Sequence, residues 1–94
     1  NMNEVTSRID LDSKMIQSSS VTFPFYADSI ISVTQNWESN TSNGRMYTKW
    51  KYNKKNNALD IIINTNLLDD SSYLEIIYFN QQLMRDKKIE EILK

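Results

Sequence analysis

The chain of 94 residues contains no cysteine and no histidine, and it contains only one glycine and one proline. Without cysteine, neither a disulfide framework nor a thiolate metal site can form. Without histidine, the chain lacks the commonest general base and the usual zinc ligand, so serine–histidine and cysteine–histidine catalysis are excluded within it. A single glycine excludes a glycine-rich phosphate loop. We therefore expect a protein that is not an enzyme and that uses no cofactor and no metal.

Charge and hydropathy further restrict the functions and locations that are possible for the chain. Eleven basic residues stand against twelve acidic ones, so no global field draws the chain onto nucleic acid or anionic lipid. The longest apolar runs, such as residues 59–63, are far too short to span a bilayer, and we expect no membrane insertion. No basic-then-apolar leader is visible, which together with the lack of cysteine favours an intracellular location. The length predicts a single domain over residues 1–94.

Apolar and polar residues alternate through the first half of the chain, which predicts antiparallel strands. The inward-facing sets are Val5, Ser7, Ile9, Leu11, Ser13 and Met15; Val21, Phe23 and Phe25; Ile31, Val33, Gln35 and Trp37; and Met46, Thr48, Trp50 and Tyr52. Pro24 cannot donate a ladder hydrogen bond, so its strand is expected at a sheet edge or a bulge. Asn43 and Gly44 predict the positive φ angles of a tight hairpin turn. Residues 54–57 form the next polar turn.

Two later segments, residues 58–65 and 73–79, are apolar at nearly every position, which is typical of strands covered on both faces. For residues 73–79 a helix is the alternative, with Ser72 and Glu75 as a capping box. The β-branched and aromatic side chains of this segment favour the strand. From Gln81 onward the pattern predicts an amphipathic helix. Its apolar stripe comprises Leu83, Met84, Ile89, Ile92 and Leu93.

These elements predict an α+β fold: an antiparallel five- or six-stranded β-meander, curled or barrel-like, with one C-terminal α-helix packed on it. One helix cannot cover both faces of a sheet, and the apolar strands leave Ile62, Ile77 and Phe79 on the other face. Either the sheet closes on itself, or these three residues bind another protein or a second copy of the chain. The sequence therefore favours a non-catalytic protein–protein interaction module, a subunit, adaptor or inhibitor, with self-association through this face as one form.

A second functional hypothesis comes from residues 45–55, which hold five of the eleven basic residues with Trp and Tyr side chains between them. Basic groups along a strand with interleaved aromatic rings are typical of single-stranded nucleic-acid binding. The candidate residues are Arg45, Tyr47, Lys49, Lys51, Lys54 and Lys55. Only Tyr47 shares the basic face, however, and a lysine-rich strand also serves to prevent edge-to-edge aggregation. Nucleic-acid binding is thus the alternative, not the leading hypothesis.

A third hypothesis is a carrier of a small apolar ligand, with a cavity lined by Phe23, Trp37, Trp50 and Tyr52. Tryptophan and tyrosine rings in inward positions of a closed sheet would supply the apolar walls that such a pocket needs.

Acidic residues provide weaker candidates. Asp10 and Asp12 share the outer face of the first strand with basic residues, which is typical of a solvated charged face. Residues 69–72 read as a turn with capping side chains. Asp60 and Glu75 lie within apolar strands, and we expect structural carboxylates there, paired with each other or with a basic group.

Overall fold

The computed structural model describes residues 4–12, 14 and 16–83, which form seven antiparallel strands. The strands are β1 (Glu4–Asp10), β2 (Ser20–Pro24), β3 (Ser29–Glu38), β4 (Asn43–Tyr47), β5 (Lys49–Asn53), β6 (Ala58–Ile62) and β7 (Tyr73–Phe79). Within the described residues, helical structure is limited to a 3₁₀ helix at Thr65–Leu67 and one turn at residues 81–83.

The strands form two sheets, with the orders β1-β7-β3-β4 and β2-β6-β5. The predicted five- or six-stranded meander with a packed C-terminal helix is wrong, because most neighbours in these sheets are not consecutive in the chain. Alternation shows which face of a strand is apolar, but it carries no information about which strand lies beside it. Most of the predicted helix, including Met84, Ile89, Ile92 and Leu93, lies outside the described residues.

The core lies between the two sheets. Val33, Leu74 and Ile76 of the four-stranded sheet are fully buried, and so are Leu59 and Ile61 of the three-stranded sheet. Each sheet thus covers the apolar face of the other, as in a β-sandwich. The predicted single sheet with a helix packed on one face is therefore wrong, because a second sheet covers that face.

Residues 73–79 form β7, so the strand alternative is confirmed and the helix alternative is wrong. β7 pairs with β1 on one side and with β3 on the other, and every second residue from Leu74 to Tyr78 is buried. The Ser72 hydroxyl, proposed as a helix cap, instead accepts the Asp69 N–H at 3.0 Å.

Pro24 lies on an edge strand, as predicted. The Phe25 N–H donates to the Asn57 carbonyl at 2.9 Å, and the Ile63 N–H donates to the Ser19 carbonyl at 2.6 Å. In an antiparallel ladder the bonded pairs alternate, so Pro24 belongs to the set of β2 residues whose backbone groups point away from β6. Its missing N–H therefore costs the sheet no hydrogen bond.

The predicted Asn43-Gly44 turn is wrong. Both residues lie within β4, Gly44 does not have a positive φ, and the hairpin is closed by the Ser39 N–H donating to the Ser42 carbonyl at 2.9 Å. Gly44 is required for a steric reason, because the Trp37 ring occupies the space that a Cβ at this position would take. The single glycine thus accommodates a tryptophan.

Candidate interaction surface

Thr48 divides the basic segment between the two sheets. β4 ends at Tyr47 in the four-stranded sheet, and β5 begins at Lys49 in the three-stranded sheet. The Thr48 N–H and hydroxyl both donate to the Val33 carbonyl at 3.0 Å, which holds the chain where it passes between sheets. The inward set predicted from Met46 to Tyr52 therefore spans two strands.

This division separates the predicted nucleic-acid-binding residues. Arg45 and Tyr47 lie on the outer face of the four-stranded sheet, where Arg45 pairs with Glu75 at 3.8 Å. Lys49 and Lys51 lie on the outer face of the other sheet. The turn after β5 holds the last two, with Lys54 paired to Asp28 at 3.6 Å and Lys55 exposed. The six residues do not form one basic track.

The three predicted partner-binding residues are also separated. Ile62 lies on the outer face of the three-stranded sheet and is 49% exposed. Ile77 and Phe79 lie half-buried on the outer face of the four-stranded sheet. In a two-layer sandwich these faces point in opposite directions. One partner cannot contact all three through a single flat surface.

Ile62 instead lies beside two of the predicted basic residues. A shallow depression of about 250 Å³, here called the β5–β6 surface, is lined by Lys49, Trp50, Lys51, Asp60 and Ile62. Lys49 is directly opposite Ile62 in the register, and Lys51 is opposite Asp60. Ile62 and the two lysines belong to different sequence-based hypotheses, and the pairing of β5 with β6 brings them together.

Trp50 also contributes to this surface, although the sequence pattern predicts an inward-facing position for it. Its position alternates with Lys49 and Lys51, yet it is 36% exposed because β5 is an edge strand with no neighbour on its outer side. A tryptophan at an edge combines a large apolar area with solvent access, which is typical of interface residues. Only the strand order reveals this exposure.

The lysines of the β5–β6 surface are not neutralised. Among the described residues the ion pairs are Arg8–Asp10, Arg45–Glu75 and Lys54–Asp28, none of which involves Lys49 or Lys51. Asp60, the one acid of the surface, accepts the Thr22 hydroxyl at 2.7 Å. The surface therefore carries one more positive than negative side chain, although the whole chain has a net charge of −1.

The edge of β5 also presents unpaired backbone groups. Because β6 bonds to β2 through its odd-numbered residues, its even-numbered residues bond to β5, and these lie opposite Lys49, Lys51 and Asn53. The N–H and C=O groups of Trp50 and Tyr52 consequently point away from the sheet. Among the described residues, β5 pairs with β6 alone, and the backbone hydrogen bonds outside the strands do not involve Trp50 or Tyr52.

The remaining acidic residues have structural partners. Asp60 and Glu75 lie in different sheets, bonded to Thr22 and paired with Arg45, so neither faces the other. Asp10 pairs with the Arg8 guanidinium at 2.9 Å. No group of three or more metal-ligating acids occurs among the residues with described positions.

Asp69 closes the turn before β7. Its carboxylate accepts the Ser71 hydroxyl at 2.5 Å and the Ser71 N–H at 2.8 Å, which lowers the pKa of Asp69 below its usual value. These hydrogen bonds agree with the prediction that residues 69–72 form a turn with capping side chains.

Tyr73 braces the outer face of the four-stranded sheet. The Arg8 guanidinium lies 3.8 Å from the centre of its ring, and its hydroxyl donates to Glu38 Oε1 at 3.0 Å. This hydrogen bond to a carboxylate raises the pKa of Tyr73. These contacts of Tyr73 connect β7 to β1 and to β3. Polar contacts therefore occupy part of the face that holds Ile77 and Phe79.

The four rings proposed for a ligand cavity do not surround one space. The Tyr52 hydroxyl donates to the Phe25 carbonyl at 2.8 Å, and the Phe25 ring contacts Tyr78, which pairs with Ile30 at the start of β3. Trp37 lies at the opposite end of β3, over Gly44. The four residues therefore do not form the ligand cavity that the carrier hypothesis requires.

No family model matches the chain, and comparison with curated proteins and with solved structures found no match. Within the described residues, no helix has the length and hydropathy needed to cross a membrane.

Proposed function

We propose that the chain is a non-catalytic protein-interaction module, a subunit, adaptor or inhibitor, that binds its partner through the β5–β6 surface. The observation that supports this proposal most is that Trp50 of the edge strand β5 and Ile62 of the neighbouring strand β6, two large apolar residues with 36% and 49% exposure, line one depression. Exposed apolar residues grouped together and rimmed by charged side chains mark interaction sites on soluble proteins.

The composition of this surface matches the usual anatomy of an interface. Binding energy concentrates in a few residues, with tryptophan enriched among them, and surrounding polar groups exclude water from the contact. Trp50 has the size for such an anchor at the β5 edge, and Lys49 and Lys51, which project to the outer face, supply charged groups at the same depression. Truncating an anchor of this kind typically costs about 2 kcal/mol or more of binding free energy.

The nucleic-acid alternative receives less support from the same geometry. A stacking platform needs several exposed rings along a continuous basic groove. Tyr47 is 75% exposed but lies on the opposite sheet from Lys49 and Lys51. Arg45 and Lys54 are engaged by Glu75 and Asp28.

Affinity capture from the native source tests the proposal, with the wild-type chain and the Ile62→Asp and Ile31→Asp variants as baits. Ile31 is a matched control because it is the same residue type, is 41% exposed and lies in the other sheet. We expect proteins that the wild type and Ile31→Asp both retain and Ile62→Asp loses, with circular dichroism confirming that all three baits are folded. Equal capture by all three baits, or no specific capture by the wild type, would overturn the proposal.

A further inference from the structure

Given the proposed interaction function, on which this inference rests, we infer that the partner supplies an acidic extended segment that adds to β5 as an antiparallel fourth strand of the three-stranded sheet. The inference depends on three features of β5: its open backbone edge, its unpaired lysines and its exposed tryptophan.

The backbone edge provides the affinity. Trp50 and Tyr52 together offer two N–H donors and two C=O acceptors in the geometry of a strand. An extended peptide that pairs with an open edge satisfies such groups through main-chain hydrogen bonds. The other edge of this sheet is β2, where Pro24 lacks one of the donors that a new strand would need. Within this sheet, β5 is therefore the edge suited to strand addition.

The side chains provide the specificity. In an antiparallel pair, residues directly opposite each other project to the same face. Residues of the added strand that face Lys49 and Lys51 therefore lie on the outer face and should be acidic. The residue between them faces Trp50 on the inner side and should be apolar. The expected segment alternates acidic and apolar residues, and its carboxylates complement two lysines without ion-pair partners among the described residues.

A second copy of the chain fits this edge poorly. If β5 paired with β5 of another copy, the lysines would lie against lysines, and like charges opposite each other in a sheet are destabilising. Lysines on an edge strand are a known protection against such pairing. The same two residues that oppose self-association therefore favour an acidic partner strand.

The test is a titration of the ¹⁵N-labelled chain with a capped peptide of three Glu-Val repeats, followed by NMR. We expect shifts of the Trp50 and Tyr52 amides, affinity that falls as salt is raised, and at least tenfold weaker binding by the Lys49→Glu/Lys51→Glu variant. A Lys-Val peptide of equal length should bind at least tenfold more weakly than the Glu-Val peptide. The absence of amide shifts in β5 at millimolar Glu-Val peptide would overturn strand addition, as would equal binding of the Lys-Val peptide.

N-methylated peptides separate strand pairing from simple charge attraction. The valines lie opposite Trp50 and Tyr52, so their N–H groups are the ones that bond to β5. Methylation at valine nitrogens should reduce binding at least tenfold, whereas methylation at glutamate nitrogens, which face away from β5, should spare it. Equal effects of the two modifications would overturn the pairing.

Two further comparisons test whether the partner is a protein or a nucleic acid, and whether a negative result rules out strand addition or the interaction function itself. Oligothymidylate is expected to leave the β5 amides unshifted, and binding there as strong as that of the Glu-Val peptide would overturn the assignment to an acidic protein segment. If the peptide fails while Ile62-dependent capture succeeds, strand addition is wrong and the interaction function stands. If Ile62-dependent capture fails, the proposed function itself is wrong.

Discussion

The side-chain amide of Gln35 forms two hydrogen bonds with the backbone of Asn64. Gln35 Nε2 donates to the Asn64 carbonyl at 3.0 Å, and the Asn64 N–H donates to Gln35 Oε1 at 2.9 Å. Gln35 is fully buried between the sheets. Its amide imitates a peptide group and connects β3 of one sheet to the chain that follows β6 of the other. A polar residue in the core thus fixes the relative position of the two layers.

We expect Gln35→Leu to lower the free energy of unfolding by about 2–4 kcal/mol, because it keeps the volume but leaves the Asn64 N–H and C=O without partners. Urea denaturation measures the change. Gln17→Leu, at an exposed loop position, is the matched control and should change stability by less than about 0.5 kcal/mol. Equal stability of Gln35→Leu and the wild type would show that this bond pair does not hold the layers.

Gly44 and Trp37 should be energetically coupled. Gly44→Ala is expected to destabilise the chain by about 1–3 kcal/mol, because the added methyl group overlaps the Trp37 ring. In a Trp37→Ala background the same substitution should cost less than about 0.5 kcal/mol, since the obstacle is gone. The coupling is measured by chemical denaturation of the wild type, the two single variants and the double variant. An undiminished cost without the tryptophan would indicate a backbone requirement for glycine.

Ile76 and Ile77 are adjacent in β7 but point to opposite faces. Ile76 is fully buried between the sheets, whereas Ile77 is half-buried on the outer face. We expect Ile76→Ala to cost about 3 kcal/mol of stability and Ile77→Ala about 1 kcal/mol. Similar costs for the two substitutions, measured by urea denaturation, would contradict the sandwich and favour a sheet covered on both sides.

The Asp69 turn predicts a pH-dependent contribution to stability. Hydrogen bonds from Ser71 lower the pKa of Asp69 in the folded chain, so the contribution is present above the unfolded pKa of about 3.9 and is lost as pH falls through the folded pKa. Ser71→Ala should therefore destabilise the chain more at pH 7 than at pH 2, as measured by thermal unfolding. Ser29→Ala, at an exposed position in β3, should show no such trend. A stability difference for Ser71→Ala that widens on acidification would contradict the assignment.

Sequence alternation correctly predicted the buried face of most strands, because burial of one face requires it. Ile31 was predicted to face inward, but it is 41% exposed, because the register of β3 shifts between Ile30 and Ser32. The inward positions of Val5 and Val33 and the edge position of Pro24 follow from this pattern. Alternation does not specify which strands pair, so the two-sheet order could not be predicted. Nothing in the period-two pattern through Thr48 marks the passage between sheets, since Met46, Thr48 and Trp50 keep the same spacing.

The candidate surface was only partly predictable for the same reason. Side-chain chemistry marks Lys49, Lys51 and Ile62 as candidates, but under different hypotheses. Their proximity depends on the pairing of β5 with β6, and the exposure of Trp50 depends on β5 being an edge strand. Both facts come from long-range pairing that local patterns do not encode.

Amide hydrogen exchange in β5, measured by NMR for the free chain and for its complex with the captured partner, tests the central claim most directly. In the free chain we expect the Trp50 and Tyr52 amides to exchange fast, because they face solvent, and the Lys51 amide to exchange slowly, because it bonds to β6. In the complex the Trp50 and Tyr52 amides should become protected. Protection of these two amides in the free monomer, or fast exchange that persists in the complex, would contradict binding through the β5 edge.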